Sequence, residues 1–177
     1  MQYGIEAQVD ALTRHFLRHQ NTVVAVGQQL GNLAELQAEY PATLHPLACD
    51  LTQRSQLDAL VHCLETEVNV TTGLAFAPKR SAPVYCGTKA ELHVFTRALR
   101  YQLEGTAVKV FEIIPPVVDT PMTASCAQSK ITSEALAAEF WRNFARDRWE
   151  SNIGKVKLLR QLLRLAPATA ARLLKPY

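Results

Sequence analysis

Apolar residues recur along the first part of this chain with two different periods, which predict a helix followed by a strand. Ile5, Val9, Leu12 and Phe16 lie at helical spacing and predict an amphipathic helix with one buried face. The run Thr22–Val26 is rich in β-branched residues and predicts a buried strand. Helix followed by strand is the order expected of an α/β fold.

The next segments repeat this order. A short helix is predicted up to Tyr40, because Pro41 cannot continue it, and a strand is predicted over Leu44–Cys49. Pro46 weakens that strand, since it cannot donate a ladder hydrogen bond. The segment Thr52–Val68 carries apolar residues on one side and predicts a helix that covers a sheet.

Longer elements are predicted in the second half of the chain. Pro83–Leu103 is predicted as a helix and Val108–Ile114 as a buried strand. Ser133 is the predicted cap of a further helix that continues to Trp149. The apolar residues of this helix favour packing against the core over direct contact with a substrate.

Length and composition predict one domain with reduced thiols. A chain of 177 residues with 48% apolar residues is sufficient for a single core. The four cysteines show no Cys-x-x-Cys spacing, so we predict neither a metal site nor a disulfide framework, and we expect a cytoplasmic location. The N-terminus has no apolar signal region, and no apolar run approaches the length of a membrane-spanning helix.

Charge is distributed unevenly along the chain. Residues 155–177 hold six basic residues and no acidic one, a charge of +6, whereas residues 1–154 hold 13 basic and 16 acidic residues, a charge of −3. We therefore predict a main domain over residues 1–154 and a basic helical tail over residues 155–177.

The tail has the pattern of an amphipathic helix. One side carries Leu158, Leu159, Leu162, Leu163 and Ala166, and the other carries Lys157, Arg160 and Arg164. Such a helix lies at an anionic membrane surface, or packs on the body of the protein or on a second subunit of a homo-oligomer, and the sequence leaves these alternatives open. Aromatic residues are not interleaved with the basic ones, so we expect no nucleic-acid partner.

Two residues in the middle of the chain have the spacing needed for proton transfer. Tyr85 and Lys89 stand four residues apart in the predicted helix, so both side chains lie on one face. A cation at that distance stabilises a phenolate and is expected to lower the pKa of Tyr85 below its ordinary value of about 10. Thr72, near the end of a predicted strand, offers a hydroxyl to the same substrate oxygen.

The order of these motifs resembles the second half of a short-chain dehydrogenase/reductase. In that family a strand ends in Ser-Ser-Gly, a Tyr-x-x-x-Lys motif follows, and a later strand opens into a Pro-Gly-x-Val-x-Thr loop. The corresponding residues here are Thr71-Thr72-Gly73, Tyr85-Cys86-Gly87-Thr88-Lys89 and Pro115-Pro116-Val117-Val118-Asp119-Thr120. The resemblance covers Asn69 to Ala124.

The resemblance implies a role for each matching residue. Tyr85 is the general acid/base, Lys89 lowers its pKa and holds the ribose of NAD or NADP, and Thr72 replaces the family's serine. Pro115, Val118 and Thr120 are placed near the nicotinamide, with Pro116 in the usual position of a glycine. The implied substrate is a small carbonyl compound or alcohol. Ordinary strand-end and loop chemistry is the alternative for Thr72, Val118 and Thr120.

The front half of the chain departs from the family. Gly4-Ile5-Glu6 matches only the last part of a Gly-rich phosphate loop, with an acidic residue in the position of the final glycine. Asp50 resembles the residue that contacts adenine, although a helix cap explains it equally well. Gln28 follows the first strand and leaves the choice between NAD and NADP open.

The family's central segment is also missing from this sequence. In the family, a strand ending in Asn-Asn-Ala-Gly and a long helix occupy the position of Val68 and Asn69. In this sequence the motif with Thr72 follows directly. The predicted fold is therefore α/β, an incomplete Rossmann-like doubly wound parallel sheet with a C-terminal helical extension.

Three functions remain open on these grounds. The first is an NAD(P)-dependent oxidoreductase. The second is a family remnant without catalysis, because loss of the phosphate loop predicts weak binding of either cofactor. The third is a module that binds a membrane surface or a partner through the basic tail.

Overall fold

A computed structural model describes residues 3–27, 33–48, 66–126 and 129–175 of the chain. The chain divides into two compact units. The first comprises Met1–Leu64, Asp119–Gln128 and Thr132–Ala138, and the second comprises Glu65–Val118, Ser129–Ile131 and Glu139–Tyr177.

The first unit contains a parallel pair of strands with helices before and between them. Its elements are α1 (Tyr3–Arg18), β1 (Val23–Gly27), α2 (Ala34–Glu39) and β2 (Leu44–Ala48). β1 and β2 are parallel, with Ala25 opposite Pro46. Leu17, Leu36 and Leu44 join Ala25 in a buried cluster, so one apolar face of each element forms the core.

The second unit contains a parallel sheet with the strand order β3–β4–β5. The strands are β3 (Thr66–Val70), β4 (Lys109–Ile114) and β5 (Glu150–Asn152), and the helices are α3 (Pro83–Gln102), α5 (Val156–Leu165) and α6 (Pro167–Leu174). A short 3₁₀ helix, Gly73–Ala75, follows β3. All residues of β4 after Lys109 are buried, as expected for a central strand with neighbours on both sides.

Helix α3 carries one buried face and one exposed face. Pro83 occupies its first turn, where a missing N–H costs nothing, and the helix ends at Gln102. Its buried residues are Cys86, His93 and Thr96. Its outer face exposes Val84, Val94, Phe95 and Tyr101. Apolar surface of this kind is used in subunit contacts, and the homo-oligomer stays a prediction.

An aromatic cluster around Phe111 of β4 holds the end of helix α4 (Ser133–Phe144). The Phe111 ring lies 4.7 Å from the Phe144 ring and 5.4 Å from the Trp149 ring. The predicted helix to Trp149 is therefore wrong beyond Phe144. Asp147 adopts a left-handed backbone conformation with φ of 50°, which ends the helix and lets Trp149 stack on Phe111.

The basic tail forms two helices rather than one, because Pro167 begins α6 after α5 has ended at Leu165. Val156 is buried, and the Leu159 side chain packs against Gly73. Leu158 and Leu165 remain exposed. The boundary at residue 154 and the use of the tail at a membrane stay predictions. Of the described helices, none has the length and hydropathy to span a membrane.

The helix predicted over Thr52–Val68 is wrong at its end. Thr66, Glu67 and Val68 belong to β3 and pair with Lys109, Val110 and Phe111 of β4. Residues 49–65 lie outside the described residues. The predicted break between Val68 and Asn69 therefore falls inside a continuous strand, because both residues have partners along the same β4 ladder. The remaining α/β order and the parallel pairing are confirmed.

Candidate active site

The end of β3 is held against β4 by backbone hydrogen bonds on both sides of Thr72. Thr71 N donates to Ile113 O over 2.9 Å, and Gly73 N donates to Pro115 O over 3.3 Å. Thr72 itself is extended and 8% exposed, and its Oγ1 accepts a long hydrogen bond of 3.4 Å from Leu74 N. The hydroxyl is thus fixed at the turn between β3 and the 3₁₀ helix.

Tyr85 and Lys89 both lie on α3, one turn apart, as predicted. Each is half-buried. The Lys89 ammonium donates to the carbonyl oxygen of Val70, the last residue of β3, over 2.7 Å. This contact ties the helix to the strand end that carries Thr72.

Burial shifts the pKa values of both side chains toward their neutral forms. Desolvation raises the pKa of the Tyr85 phenol, with a smaller contribution from Cys86. Desolvation also lowers the pKa of the Lys89 ammonium. The expected lowering of the Tyr85 pKa is therefore wrong for the chain as described: the Lys89 ammonium donates to Val70 O, and burial disfavours the phenolate.

This shift makes a direct prediction for the titration of the folded chain. Because burial favours the neutral phenol, Tyr85 should ionise only above the ordinary value of about 10. Its contribution to folding stability is complete below that pH and is lost as the pH rises through the folded pKa. The near-ultraviolet absorbance of phenolate, compared between the wild type and Tyr85→Phe, isolates this group. Ionisation well below pH 10 would show that Lys89 governs the phenol, as its spacing predicts.

The loop after β4 places the remaining candidates in different surroundings. Pro115 is buried, and its carbonyl accepts from Gly73 N. Val118 is 2% exposed and forms an isolated parallel bridge with Ile131. Thr120 belongs to the first unit, where its hydroxyl lies 3.2 Å from the Thr123 hydroxyl in reciprocal capping contacts. Asp50, the candidate for adenine, lies outside the described residues.

A buried polar cluster next to these residues was not predicted from the sequence. Glu112 on β4 has no exposed surface, and its carboxylate accepts from the Thr71 hydroxyl over 2.6 Å and from His93 Nδ1 over 2.9 Å. The sequence signal for this cluster is Glu112, an acidic residue within the apolar run of β4. A buried charge requires hydrogen-bonded partners, so such a residue indicates polar side chains nearby.

Comparison with known proteins identifies the family of this arrangement. Residues 66–131 match the family model described as short chain dehydrogenase. An uncharacterized oxidoreductase, DltE of Bacillus subtilis, is 58% identical over 53 residues, which are 30% of this chain and 21% of that protein. Residues 66–131 resemble the short-chain dehydrogenase/reductase superfamily. An uncharacterized oxidoreductase of Staphylococcus epidermidis is 43% identical over 56 residues, 32% of this chain and 24% of that protein.

Solved short-chain dehydrogenases share the fold. One from Burkholderia cenocepacia, in complex with NADP, has a TM-score of 0.79 at 16% identity, with 98% of this chain and 94% of that chain covered. Another from Sphingobium yanoikuyae, in complex with NADPH, has a TM-score of 0.65 at 15% identity, with 94% of this chain and 92% of that chain covered. The predicted Rossmann-like fold is confirmed, with parallel sheets that are partial.

The family segment has wider bounds than the sequence motifs predicted. It begins at Thr66, the first residue of β3, rather than at Asn69, and ends at Ile131 rather than at Ala124. The residues added at its start, Thr66 to Val68, pair with β4, as do the two residues that follow them. The segment therefore contains Thr72 and the whole of α3, whereas the matched stretches span only about a fifth to a quarter of the two curated relatives.

Proposed function

We propose that this chain is an NAD(P)-dependent oxidoreductase that transfers a hydride between a nicotinamide and a small carbonyl compound or alcohol. The observation that carries the proposal is the placement of Tyr85 and Lys89 on one helix, with Lys89 bonded to the strand end beside Thr72. All three residues lie inside the family segment.

Tyr85 is proposed as the general acid in carbonyl reduction and the general base in alcohol oxidation. Burial raises the pKa of its phenol, so Tyr85 carries its proton at neutral pH and is able to act as the acid. A protonated phenol donates its proton to the oxygen of a carbonyl as negative charge develops there. Thr72 supports the same oxygen through its hydroxyl, which both donates and accepts.

Lys89 fits the role of holding the ribose of a nicotinamide cofactor. An ammonium has three N–H donors, one of which bonds to Val70 O, and the others suit the hydroxyl oxygens of a sugar. When bound, NAD or NADP supplies the hydride or accepts it. Val118 and Pro115 are proposed to line the nicotinamide side, and the Thr120 hydroxyl to bind the carboxamide.

The sequence match to the family's phosphate loop is incomplete, because Glu6 stands where that loop has its final glycine. Gly4 and Glu6 belong to α1, which begins at Tyr3. An acidic residue in place of a glycine disfavours the binding of a diphosphate. Asp50 remains the proposed contact for adenine. We therefore propose weak affinity for either cofactor, and the assay must include high cofactor concentrations.

The comparisons support the enzyme over the two alternatives left open by the sequence. The curated relatives are described as oxidoreductases, and residues 66–131, which match the family model, contain Thr72, Tyr85 and Lys89. The α5 helix of the tail packs its Val156 and Leu159 side chains against Gly73, next to Thr72. A tail engaged in this way supports the site and does not require a membrane.

The proposal is tested by carbonyl-dependent oxidation of reduced nicotinamide. The purified chain is mixed with NADPH or NADH up to millimolar concentrations and with a panel of aldehydes and ketones, and nicotinamide absorbance is followed. We expect loss of absorbance that requires both the carbonyl compound and the folded chain. Equal background rates with and without the chain, across the panel and with both cofactors, would contradict the proposed function.

A further inference from the structure

Glu112 is a buried carboxylate that joins three elements of the second unit. It lies on the central strand β4 with no exposed surface. Its Oε1 accepts from Thr71 Oγ1, which follows β3, over 2.6 Å. His93 Nδ1 on α3 lies 2.9 Å from the same oxygen and 3.0 Å from Oε2. Strand end, central strand and helix therefore meet at a single side chain.

The two residues bonded to Glu112 are neighbours of the proposed catalytic residues. Thr71 directly precedes Thr72. His93 stands four residues after Lys89, which in turn stands four residues after Tyr85, so the three occupy one stripe of α3. Helix α3 is thus tied to the end of β3 on two successive turns: directly by Lys89 to Val70 O, and through Glu112 by His93.

An arginine already supplies positive charge beside this carboxylate. Arg100 Nη2 lies 4.0 Å from Glu112 Oε2, and Arg100 Nη1 lies 3.6 Å from a carboxylate oxygen of Glu150. Ligand atoms of His93, Glu112 and Glu150 lie within 4.8 Å of one another. Because a guanidinium contacts both carboxylates, this geometry favours an internal ion-pair network over a bound metal ion.

We propose that Glu112 is a positioning residue that fixes the Tyr85–Lys89 face of α3 against the strand end carrying Thr72. The inference rests on the proposed function for its meaning in catalysis. A carboxylate only accepts hydrogen bonds, so it orients both the Thr71 hydroxyl and the Nδ1–H of His93 as donors. The bonds hold the two elements in one relative placement, and a misplacement of about 1 Å costs on the order of a hundredfold in rate.

Glu112→Gln changes this arrangement with little change of volume. Both carboxylate oxygens lie within 3.0 Å of His93 Nδ1, so the amide nitrogen of glutamine faces the Nδ1–H in either orientation. His93 must then move or change its tautomer. Glu150→Gln is the matched control, because Glu150 lies opposite Glu112 on β5 and is paired with Arg100 and Arg160.

A second pair of variants approaches the same bond from β3. Thr71→Val removes the hydroxyl and leaves the contact between Glu112 and His93 in place, whereas Thr71→Ser keeps the hydroxyl. This pair decides the question if Glu112→Gln does not fold. Loss of the hydrogen bond to Glu112 should affect the surroundings of Tyr85 in Thr71→Val and not in Thr71→Ser.

The test combines a spectroscopic and a kinetic measurement on the full chain. The chain is labelled with fluorotyrosine, and the Tyr85 fluorine resonance is assigned by its loss in Tyr85→Phe. We expect Glu112→Gln and Thr71→Val to shift this resonance and Glu150→Gln and Thr71→Ser to leave it in place. With an active carbonyl substrate, the first two variants should lower kcat by about a hundredfold, with KM changed less than about threefold.

These measurements separate the inference from the proposed function. An unchanged Tyr85 resonance in folded Glu112→Gln and Thr71→Val overturns the inference, whatever the activity of the wild type. A shifted resonance in both, together with intact controls, supports the inference even if no substrate is turned over. Absence of turnover in that case would count only against the proposed function.

Discussion

Replacing Tyr85 by phenylalanine should lower kcat for carbonyl reduction by roughly 10²- to 10⁴-fold, the contribution typical of a positioned acid/base. The change removes only the hydroxyl from a half-buried ring, so the packing of α3 is retained. No proton donor then remains at that position for the developing alkoxide. Steady-state rates measured over a range of substrate concentrations check this expectation.

Tyr101→Phe is the matched control for this variant. Tyr101 lies on the same helix, 63% exposed, with its hydroxyl within 3.4 Å of Arg97 Nη2. Loss of that exposed hydroxyl should leave the rate unchanged. Similar rates for the wild type and Tyr85→Phe, in protein shown to be folded, would remove Tyr85 from the proposed mechanism.

Replacing Lys89 by methionine should lower kcat by about a hundredfold and raise the KM for the cofactor. The change removes the ammonium that bonds to Val70 O, so the helix loses its direct contact with the strand end. It also removes the proposed contact with the ribose. The pKa of Tyr85 is raised by burial and by Cys86, with no contribution from Lys89, so the pH optimum for alcohol oxidation should stay close to that of the wild type.

Lys109→Met provides the comparison for Lys89→Met. Lys109 is an exposed lysine whose ammonium pairs with the exposed carboxylate of Asp147, a contact expected to contribute little to stability. Its kinetics should match those of the wild type. A Lys89→Met variant with unaltered kcat and cofactor KM would contradict the role proposed for Lys89.

Local spacing was sufficient to predict the helix and its two candidate residues. Four residues make about one turn of a helix, so the sequence separation of Tyr85 and Lys89 determines that they share a face. The apolar run Val108–Ile114 likewise predicts a buried strand, and β4 is observed over Lys109–Ile114. Both features depend on neighbours in the sequence.

Features that depend on distant partners could not be predicted in the same way. The bonds of Glu112 join it to Thr71, 41 residues away, and to His93, 19 residues away. The pKa of Tyr85 is raised by burial, whereas the spacing to Lys89 predicts that it is lowered. Burial of the phenol and the hydrogen bond from Lys89 to Val70 O both depend on the folded chain, so local spacing does not predict them.

Short and polar elements were missed for a related reason. β5 has three residues, Glu150–Asn152, and all three have polar side chains, so the sequence shows no apolar period there. Its position depends on the ladder with β4, where Ser151 lies opposite Ile113. The second unit therefore contains a strand that no hydrophobic period indicates.

The most direct test of the central claim is transfer of a labelled hydride. The chain is incubated with NADPH or NADH that carries deuterium at C4 of the nicotinamide, together with a carbonyl compound, and the alcohol product is analysed by mass spectrometry. We expect deuterium on the former carbonyl carbon in the reaction with the wild type, and loss of this product with Tyr85→Phe. Absence of labelled alcohol with both cofactors, or equal labelling with Tyr85→Phe, would contradict the account.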